Sequence, residues 1–196
     1  MKLTVSINLG GYPFNIDEDA YVELKGYLRS LEHHFAAEES CSEILSDIET
    51  RIAEIFRTKI TTYKQVISID DVSQAISVMG TPEDIADNEK ETTKEKFSSR
   101  RYHRMYRDPD SRIIGGVCAG IGAYWDIDPV VVRVLFLAFI FAGGLGVLIY
   151  LILYIALPAA RTTAQKIEMR GEPVNIHNIK EVVKNEFNAV RKKMKF

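Results

Sequence analysis

The run from Val134 to Leu157 reads VLFLAFIFAGGLGVLIYLILYIAL, and none of its 24 residues carries a charge. About 20 consecutive apolar residues are enough for a transmembrane helix, whereas shorter apolar runs are typical of buried helices in soluble proteins. Asp128-Pro129 predicts a helix cap followed by proline at the first helical position, and Pro158 predicts a stop. We therefore expect this run to be helical and to insert into a membrane.

Glycines interrupt the run near its middle, at Gly143, Gly144 and Gly146. They leave two halves of at most about 12 residues, each no more than roughly 20 Å long as a helix, and neither reaches across a hydrocarbon core of roughly 30 Å. The run is compatible with one long tilted helix, or with a re-entrant helical hairpin that turns at the glycines. The predicted fold of this segment is a helical membrane module with one long or two half-length membrane helices.

A glycine-rich stretch, Ile113 to Trp125, precedes the run and is predicted to be a helix with one broad apolar face. Its small residues recur four apart, a spacing that lets helix backbones approach closely in a membrane. A phosphate-binding loop is disfavoured because the spacing is not Gly-x-Gly-x-x-Gly and no clear strand comes before it. Tyr124 and Trp125 suit the headgroup boundary, and Arg133 is either an interface anchor or the partner of an acidic side chain on another protein.

The first 90 residues predict a small α+β domain. Apolar and polar side chains alternate from Leu3 to Leu9 and from Tyr12 to Ile16, with Gly10-Gly11 between them, which is typical of a β-hairpin. Two amphipathic helices follow, one beginning after Asp17 and the other over roughly 42–60. The fold class is therefore mainly α with a small N-terminal β-hairpin. The apolar stripes of the two helices are Tyr21, Leu24, Leu28, Leu31 and Phe35, and Ile44, Leu45, Ile48, Ile52, Ile55 and Phe56.

Charge is distributed unevenly along the chain. Residues 1–97 carry 19 acidic and 10 basic side chains, whereas residues 98–196 carry 8 and 15. This layout predicts a solvated acidic domain beside a basic segment that faces a membrane, and the N-terminus lacks the features of a secretory signal. We divide the chain into an acidic cytoplasmic interaction or signalling domain (1–90), a charged linker (91–110), a membrane module (111–160) and a basic tail (161–196).

The tail predicts a basic amphipathic helix. Its apolar residues recur at helical spacing on one face, and its end is rich in lysine and arginine. Such a helix can lie on an anionic membrane surface, bind a partner or pack on the protein's own domain, and the sequence leaves all three open. The candidate residues of this membrane-surface or partner-binding tail are Ile179, Val183, Phe187, Arg191, Lys192 and Lys193.

The stretch from Arg107 to Arg133, RDPDSRIIGGVCAGIGAYWDIDPVVVR, resembles the opening of a PspC (phage-shock protein C) domain, and the resemblance continues through the apolar run. That family shows a basic start, a Gly-Val-Cys-Gly-Gly-like element, Ile-Asp-Pro, an arginine in the next helix, a mid-run glycine cluster and a terminal Leu-Pro. Ala119 is a mild departure from this family pattern, because its position is often occupied by glycine. The family-signature and helix-packing residues that the resemblance implies are Gly115, Gly116, Val117, Cys118, Ala119, Gly120, Tyr124, Trp125, Ile127, Asp128, Pro129, Arg133, Gly143, Gly144, Gly146 and Pro158.

A weaker similarity covers Glu38 to Glu89. The element Met79-Gly-Thr-Pro-Glu-Asp-Ile-Ala86 is similar to the end of the small helical signalling domains found at the N-terminus of some bacterial membrane proteins. This similarity implies an interaction module rather than an enzyme.

The resemblances imply an inner-membrane regulator of envelope stress that binds other phage-shock proteins and so alters stress-gene transcription.

The sequence shows no catalytic constellation, because His33 and His34 lack a nearby nucleophile or ligand set and the two cysteines have no partners at metal-ligand spacing. The prediction is a non-enzymatic adaptor without a cofactor or a small-molecule substrate. Its expected partners are other phage-shock or envelope-stress proteins, the lipid bilayer and, as a further option, a second copy in a homo-oligomer. Acidity of the N-terminal half argues against nucleic acid, and the alternative function is a structural or lipid-sensing membrane protein that responds to bilayer packing.

Overall fold

The structure, a computed structural model, describes residues 3–82, 104–141 and 144–194. The chain divides into two compact units: the first comprises Met1–Glu95 and Val174–Phe196, and the second comprises Lys96–Pro173. Most of the predicted linker, residues 91–103, lies outside the described residues. The predicted tail, 161–196, is shared between the two units.

A β-hairpin opens the first unit, as the alternating sequence predicted. Strand β1 (Thr4–Leu9) pairs antiparallel with β2 (Tyr12–Asp17). Gly10 and Gly11 form the connecting turn with φ angles of 55° and 83°, positive values that glycine adopts without a steric cost. A short third strand, β3 (Val66–Ile67), lies parallel to β2 on its other side, so that the sheet order is β1-β2-β3.

Helices α1 (Glu18–Phe35) and α2 (Cys41–Lys59) follow the hairpin, α3 (Ile69–Met79) follows β3, and the three helices pack on one another. The apolar stripes predicted for the first two helices supply much of the core, because their apolar side chains are the ones removed from water. Phe14 of the hairpin meets Phe56 of α2 edge to face, with ring centroids 5.7 Å apart. The largest fully buried side chains of this core are Ile16, Leu31, Phe35, Ile44, Ile48, Ile52, Phe56, Ile67 and Met79.

The second unit has four helices within its described residues. They are α4 (Val117–Trp125), α5 (Pro129–Phe141), α6 (Leu145–Ala156) and α7 (Thr163–Met169). Helix α4 packs against the other three, and α5 packs against α6. The predicted start of α5 is confirmed, since Pro129 is its first residue and the Asp128 carboxylate accepts a hydrogen bond from the Val130 N–H at 2.8 Å.

The expected membrane helices are contradicted by the structure. The apolar run forms α5 and α6, of 13 and 12 residues. Within the described ranges, no helix combines the length and the apolar character needed to cross a membrane. The prediction of a helical membrane module with one long or two half-length membrane helices is therefore wrong.

The physical reason for the short helices lies at the glycines. Gly144 has a φ of 80°, and its N–H donates to the Ile140 carbonyl at 2.8 Å, which closes the last turn of α5. At Gly146, a Cβ would lie only 2.8 Å from the Ile140 nitrogen. The missing side chain thus lets the start of α6 press against the end of α5, and the run folds back on itself.

The last helix, α8 (Ile176–Met194), belongs to the first unit and packs on α2. Its apolar face is removed from water, because Ile176, Ile179 and Val183 are buried. Of the three arrangements that the sequence left open for this helix, packing on the protein's own domain is the one present in the structure.

Candidate functional site in the glycine-rich unit

Arg107 joins the segment before α4 to the end of α6. Its backbone N–H donates to the Pro158 carbonyl at 2.8 Å, and its carbonyl accepts from the Ala160 N–H at 2.9 Å. The guanidinium Nε donates to the Leu157 carbonyl at 2.9 Å and lies over the ring of Tyr154, 4.2 Å from its centroid. A charged side chain from the predicted linker therefore has a structural role at the end of the apolar run.

Two glycines allow this extended segment to lie directly on α4. Gly116 has a φ of 79°, and a Cβ there would overlap the Asp108 carbonyl. A Cβ at Gly120 would overlap the Tyr106 carbonyl in the same way. The spacing of four residues between small side chains predicted close packing of another helix on this face. In the structure, the chain that packs closely on Gly116 and Gly120 is extended rather than helical.

Aromatic side chains of α6 contact the other side of the glycine-rich element. The Tyr150 hydroxyl accepts a hydrogen bond from the Gly115 N–H at 2.9 Å, and a Cβ at Gly115 would lie 2.6 Å from the Tyr154 ring. Tyr150 also meets Phe136 of α5 edge to face at 5.8 Å. These contacts fix the beginning of α4 against both apolar helices.

The signature residues between the glycines are part of the core. Val117 and Ala119 are buried, and Val117 clusters with Ile121 and Val132. Cys118 is half-buried, and burial raises the pKa of its thiol, although the charge of Arg133 opposes this shift. The thiol therefore remains protonated at neutral pH, the form in which cysteine is a poor nucleophile.

Polar contacts hold α7 against the same extended segment. The Lys166 ammonium lies 2.7 Å from the Asp110 carboxylate, and the Tyr106 hydroxyl donates to the Glu168 carboxylate at 3.2 Å. Burial raises the pKa of Tyr106, which keeps its hydroxyl available as a donor. The segment 104–111 is thus bound by α4, α6 and α7.

The outer surfaces of α5 and α6 expose many large apolar side chains. Ile155 is 82% exposed and Phe141 is 87% exposed, and their aliphatic neighbours are mostly more than half exposed. A contiguous apolar surface of this kind marks a contact with a membrane or with another protein. The most exposed of these neighbours are Val130, Val131, Val134, Leu135, Leu137, Leu145, Leu148, Leu151 and Ile152.

The remaining signature residues lie at the ends of these helices. Trp125 is 60% exposed and meets Tyr124 edge to face at 6.3 Å, and Ile127 is also exposed. Arg133 donates to the Ser111 carbonyl at 3.2 Å rather than to an acidic side chain among the described residues. Gly143 lies outside the residues that the structure describes.

The tail residues lie in the first unit. Ile179 and Val183 are buried and Phe187 is half-buried, while Lys192 is exposed. Arg191 forms an ion pair with Glu39 at 2.8 Å. The side chain of Lys193 is outside the described part of the chain.

Sequence reasoning missed Arg107, Tyr150 and Tyr154. Arg107 was interpreted only as a basic residue of the linker and as the basic start of the PspC-like stretch, because no periodic pattern indicates its contacts. Tyr150 and Tyr154 did carry a signal, because they are the only aromatic residues of α6 (Leu145–Ala156) and their spacing of four places them on one helix face.

Comparison with known proteins identifies the second unit. The searches of curated proteins and of solved structures gave no match to the chain. The similarity of residues 38–89 to small helical signalling domains has no separate support and stays a prediction. The family model of the PspC domain matches residues 103–160, which confirms the predicted resemblance, and the chain therefore carries a PspC domain.

Proposed function

We propose that this protein is a non-enzymatic adaptor of an envelope stress response, which acts through protein-protein contacts at the bacterial inner membrane. The observation that carries the proposal is the PspC match over residues 103–160. PspC domains belong to a phage-shock-type stress-response family and are generally associated with membranes. Other envelope-stress proteins are therefore the proposed partners.

The apolar surface of α5 and α6 supports a site of action at the membrane. Its side chains lose contact with water when they meet lipid, at roughly 25 cal/mol for each Å² removed. Arg112 precedes α4 and Arg161 follows α6 in the sequence, and basic side chains beside an apolar segment favour anionic headgroups. In this proposal, α5 and α6 provide the lipid contact and the first unit is left free to bind partners in the cytoplasm.

The regulatory role is tested by gene expression in cells that carry this protein. Deletion of the gene is expected to change the induction of envelope-stress transcripts after the membrane is depolarised, and the wild-type gene is expected to restore it. The matched control is a heat-shock transcript measured in the same cells. Unchanged induction of every envelope-stress transcript in the deletion strain would contradict the adaptor function.

The location of the first unit is tested by labelling a single cysteine. Tyr63 is fully exposed, so Tyr63→Cys in a chain with Cys41→Ser and Cys118→Ser gives an accessible reporter. A membrane-impermeant maleimide is expected to label it only after spheroplasts are lysed. Labelling of intact spheroplasts would place the first unit outside the cytoplasm.

A lipid-sensing function is the second candidate, and the extent of the exposed apolar surface on α5 and α6 favours it. A sensor of bilayer packing should bind loosely packed vesicles more tightly than well-packed ones, because packing defects expose hydrocarbon to apolar side chains. If the full-length protein shows this preference while the deletion leaves stress transcripts unchanged, the second candidate replaces the first.

A further inference from the structure

The outer edge of β1 has backbone groups that no strand pairs with among the described residues. In the hairpin register Leu9 faces Tyr12 across the two-residue turn, and the Glu18 N–H donates to the Leu3 carbonyl at 3.0 Å. Hydrogen-bonded and non-hydrogen-bonded pairs alternate along an antiparallel ladder. Along β1, the odd-numbered residues therefore form hydrogen bonds with β2. The even-numbered residues, Thr4, Ser6 and Asn8, point their N–H and C=O groups away from β2.

Within the part of the chain that the structure describes, this edge lacks the features that usually prevent strand addition. Natural proteins protect exposed edges with charged residues, prolines, bulges or a covering element. Strand β1 reads Thr-Val-Ser-Ile-Asn-Leu, without a charge or a proline, and its register with β2 is continuous. Thr4, Ser6 and Asn8 are all exposed, so the edge is accessible to an extended chain.

A groove runs beside this edge, between β1, α1 and α2. Its volume is about 570 Å³, within the usual range for binding sites. Four large apolar side chains that are only half-buried line it: Ile7, Tyr21, Leu28 and Leu45. A strand added to β1 would direct every second side chain toward these residues, because side chains alternate between the two faces of a sheet.

The groove also contains a carboxylate that has no partner in the described part of the chain. Glu49 lines the groove and is half-buried, with no cation or hydrogen-bond donor against it. Burial raises the pKa of Glu49, which means that its charge is poorly solvated. Lys25 and Arg29 line the same groove but are exposed, and their long side chains can keep their charges in water.

We infer that an extended segment of a partner protein, apolar at alternate residues and carrying one lysine or arginine, adds to β1 as a fourth strand and fills this groove. Backbone hydrogen bonds to the β1 edge would hold the segment, the half-buried apolar residues would take its apolar side chains, and Glu49 would pair with its basic side chain. This inference rests on the proposed adaptor function and assigns that function a surface and a type of partner.

The test uses the full-length protein and a set of synthetic peptides. Each peptide has threonine at odd positions and valine at even positions, and in each peptide of the set a different one of the valines is replaced by lysine. A matched set carries glutamate in place of lysine. Fluorescence polarisation is expected to show that the best lysine peptide binds about fivefold more tightly than its glutamate counterpart. Glu49→Gln is expected to remove most of this preference. Equal binding of the two sets to the wild-type protein would overturn the inference.

Hydrogen exchange locates the bound peptide. The amides of Thr4, Ser6 and Asn8 are expected to exchange fast in the free protein and to become protected when the lysine peptide is added. Slow exchange of these amides in the free protein would mean that a second copy or another segment already covers the edge, and it would overturn the inference. Protection confined to other parts of the chain would also overturn it.

A pair of substitutions separates loss of the groove from loss of the fold. Leu45→Asp places a charge in the groove, whereas Val22→Asp places the same charge on an exposed position of α1 that does not line it. Only Leu45→Asp should abolish peptide binding, while both variants should keep the circular dichroism spectrum of the wild type.

The groove inference and the adaptor function can fail separately. If no peptide binds but the deletion strain has altered stress transcripts, the groove inference fails and the adaptor function stands. If the peptides bind as expected and stress transcripts do not depend on the protein, the adaptor function fails.

Discussion

At the scale of single residues, Gly120 shows why the PspC segment needs a residue without a side chain. The Tyr106 carbonyl occupies the space that a Cβ would take, and the atom that would have to move is backbone. We expect Gly120→Ala to destabilise the second unit by about 1–3 kcal/mol, the usual cost of overpacking. Trp125 in α4 is the one tryptophan of the chain, so tryptophan fluorescence reports the unfolding of this unit.

The matched control for this prediction is Gly26→Ala. Gly26 lies inside α1 with nothing within 4 Å of the place where a Cβ would lie, and alanine there should stabilise the helix by about 0.5–1 kcal/mol. If Gly120→Ala leaves the stability of the second unit unchanged or raises it, as Gly26→Ala is expected to do for the first unit, then the Tyr106 carbonyl does not lie close to Gly120.

Asp71 is a charged residue whose ionisation stabilises the first unit. It is 4% exposed, its carboxylate accepts bonds from the Ser68 N–H and hydroxyl at 3.0 and 2.8 Å, and the Lys64 ammonium lies 2.6 Å away. Burial alone would raise the pKa of Asp71, but Lys64 and the Ser68 hydrogen bonds outweigh it, and the pKa is lowered. Because the folded pKa lies below the unfolded value, the stabilisation is present at neutral pH and is lost as the pH falls through the folded pKa.

We expect Asp71→Asn to lower the free energy of unfolding by about 1–2 kcal/mol at neutral pH, since it removes the ion pair and weakens the helix cap. Urea unfolding at a series of pH values should show that this difference shrinks as the pH falls below about 4, where the carboxylate of the unfolded chain takes up a proton before that of the folded chain does. Asp70→Asn is the control, because Asp70 is an exposed neighbour in the same helical turn. A difference between Asp71→Asn and the wild type that is constant with pH would contradict the role of ionisation.

At the scale of elements, the C-terminal helix α8 joins the first unit mainly through its apolar face. Ile179 is fully buried, and Ile179→Ala should lower the stability of the first unit by about 2–4 kcal/mol. The ion pair of Arg191 and Glu39 is 52% and 66% exposed, so Arg191→Gln should change the stability by no more than about 0.5 kcal/mol. Hydrogen exchange of the α8 amides measures both effects. Equal effects of the two substitutions would mean that charge, not apolar contact, holds the helix.

The hairpin and helices α1 and α2 were predictable from the sequence because each has a strong local pattern. Alternation around Gly10-Gly11 predicted the hairpin, and helical periodicity predicted the buried faces of α1 and α2. The run from Val134 to Leu157 was harder, since its length and composition favour a membrane helix and only its glycines indicate a break. The effect of Gly146 depends on its contact with Ile140, and the role of Arg107 depends on residues 157–160, so neither could be inferred from local sequence.

At the scale of the whole molecule, the two compact units differ less in net charge than the two halves of the sequence do. Because α8 belongs to the first unit, that unit has 21 acidic and 15 basic residues, whereas the second has 6 and 10. The net charge of the first unit is thus less negative than the sequence halves imply. The second unit keeps a positive charge and also carries the exposed apolar surface of α5 and α6, the combination that favours an anionic membrane.

We therefore expect the full-length protein to sediment with vesicles that contain anionic lipid more strongly than with neutral vesicles. Added salt should weaken this binding without abolishing it, because salt screens charge but leaves the apolar contribution in place. Replacing two exposed leucines, Leu148→Asn with Leu151→Asn, should reduce binding to both kinds of vesicle by at least about tenfold. Val22→Asn, an exposed apolar residue of α1, should leave binding unchanged. If the double variant binds like the wild type, or if salt alone releases the wild-type protein, then α5 and α6 do not provide the lipid contact and their apolar surface serves another protein.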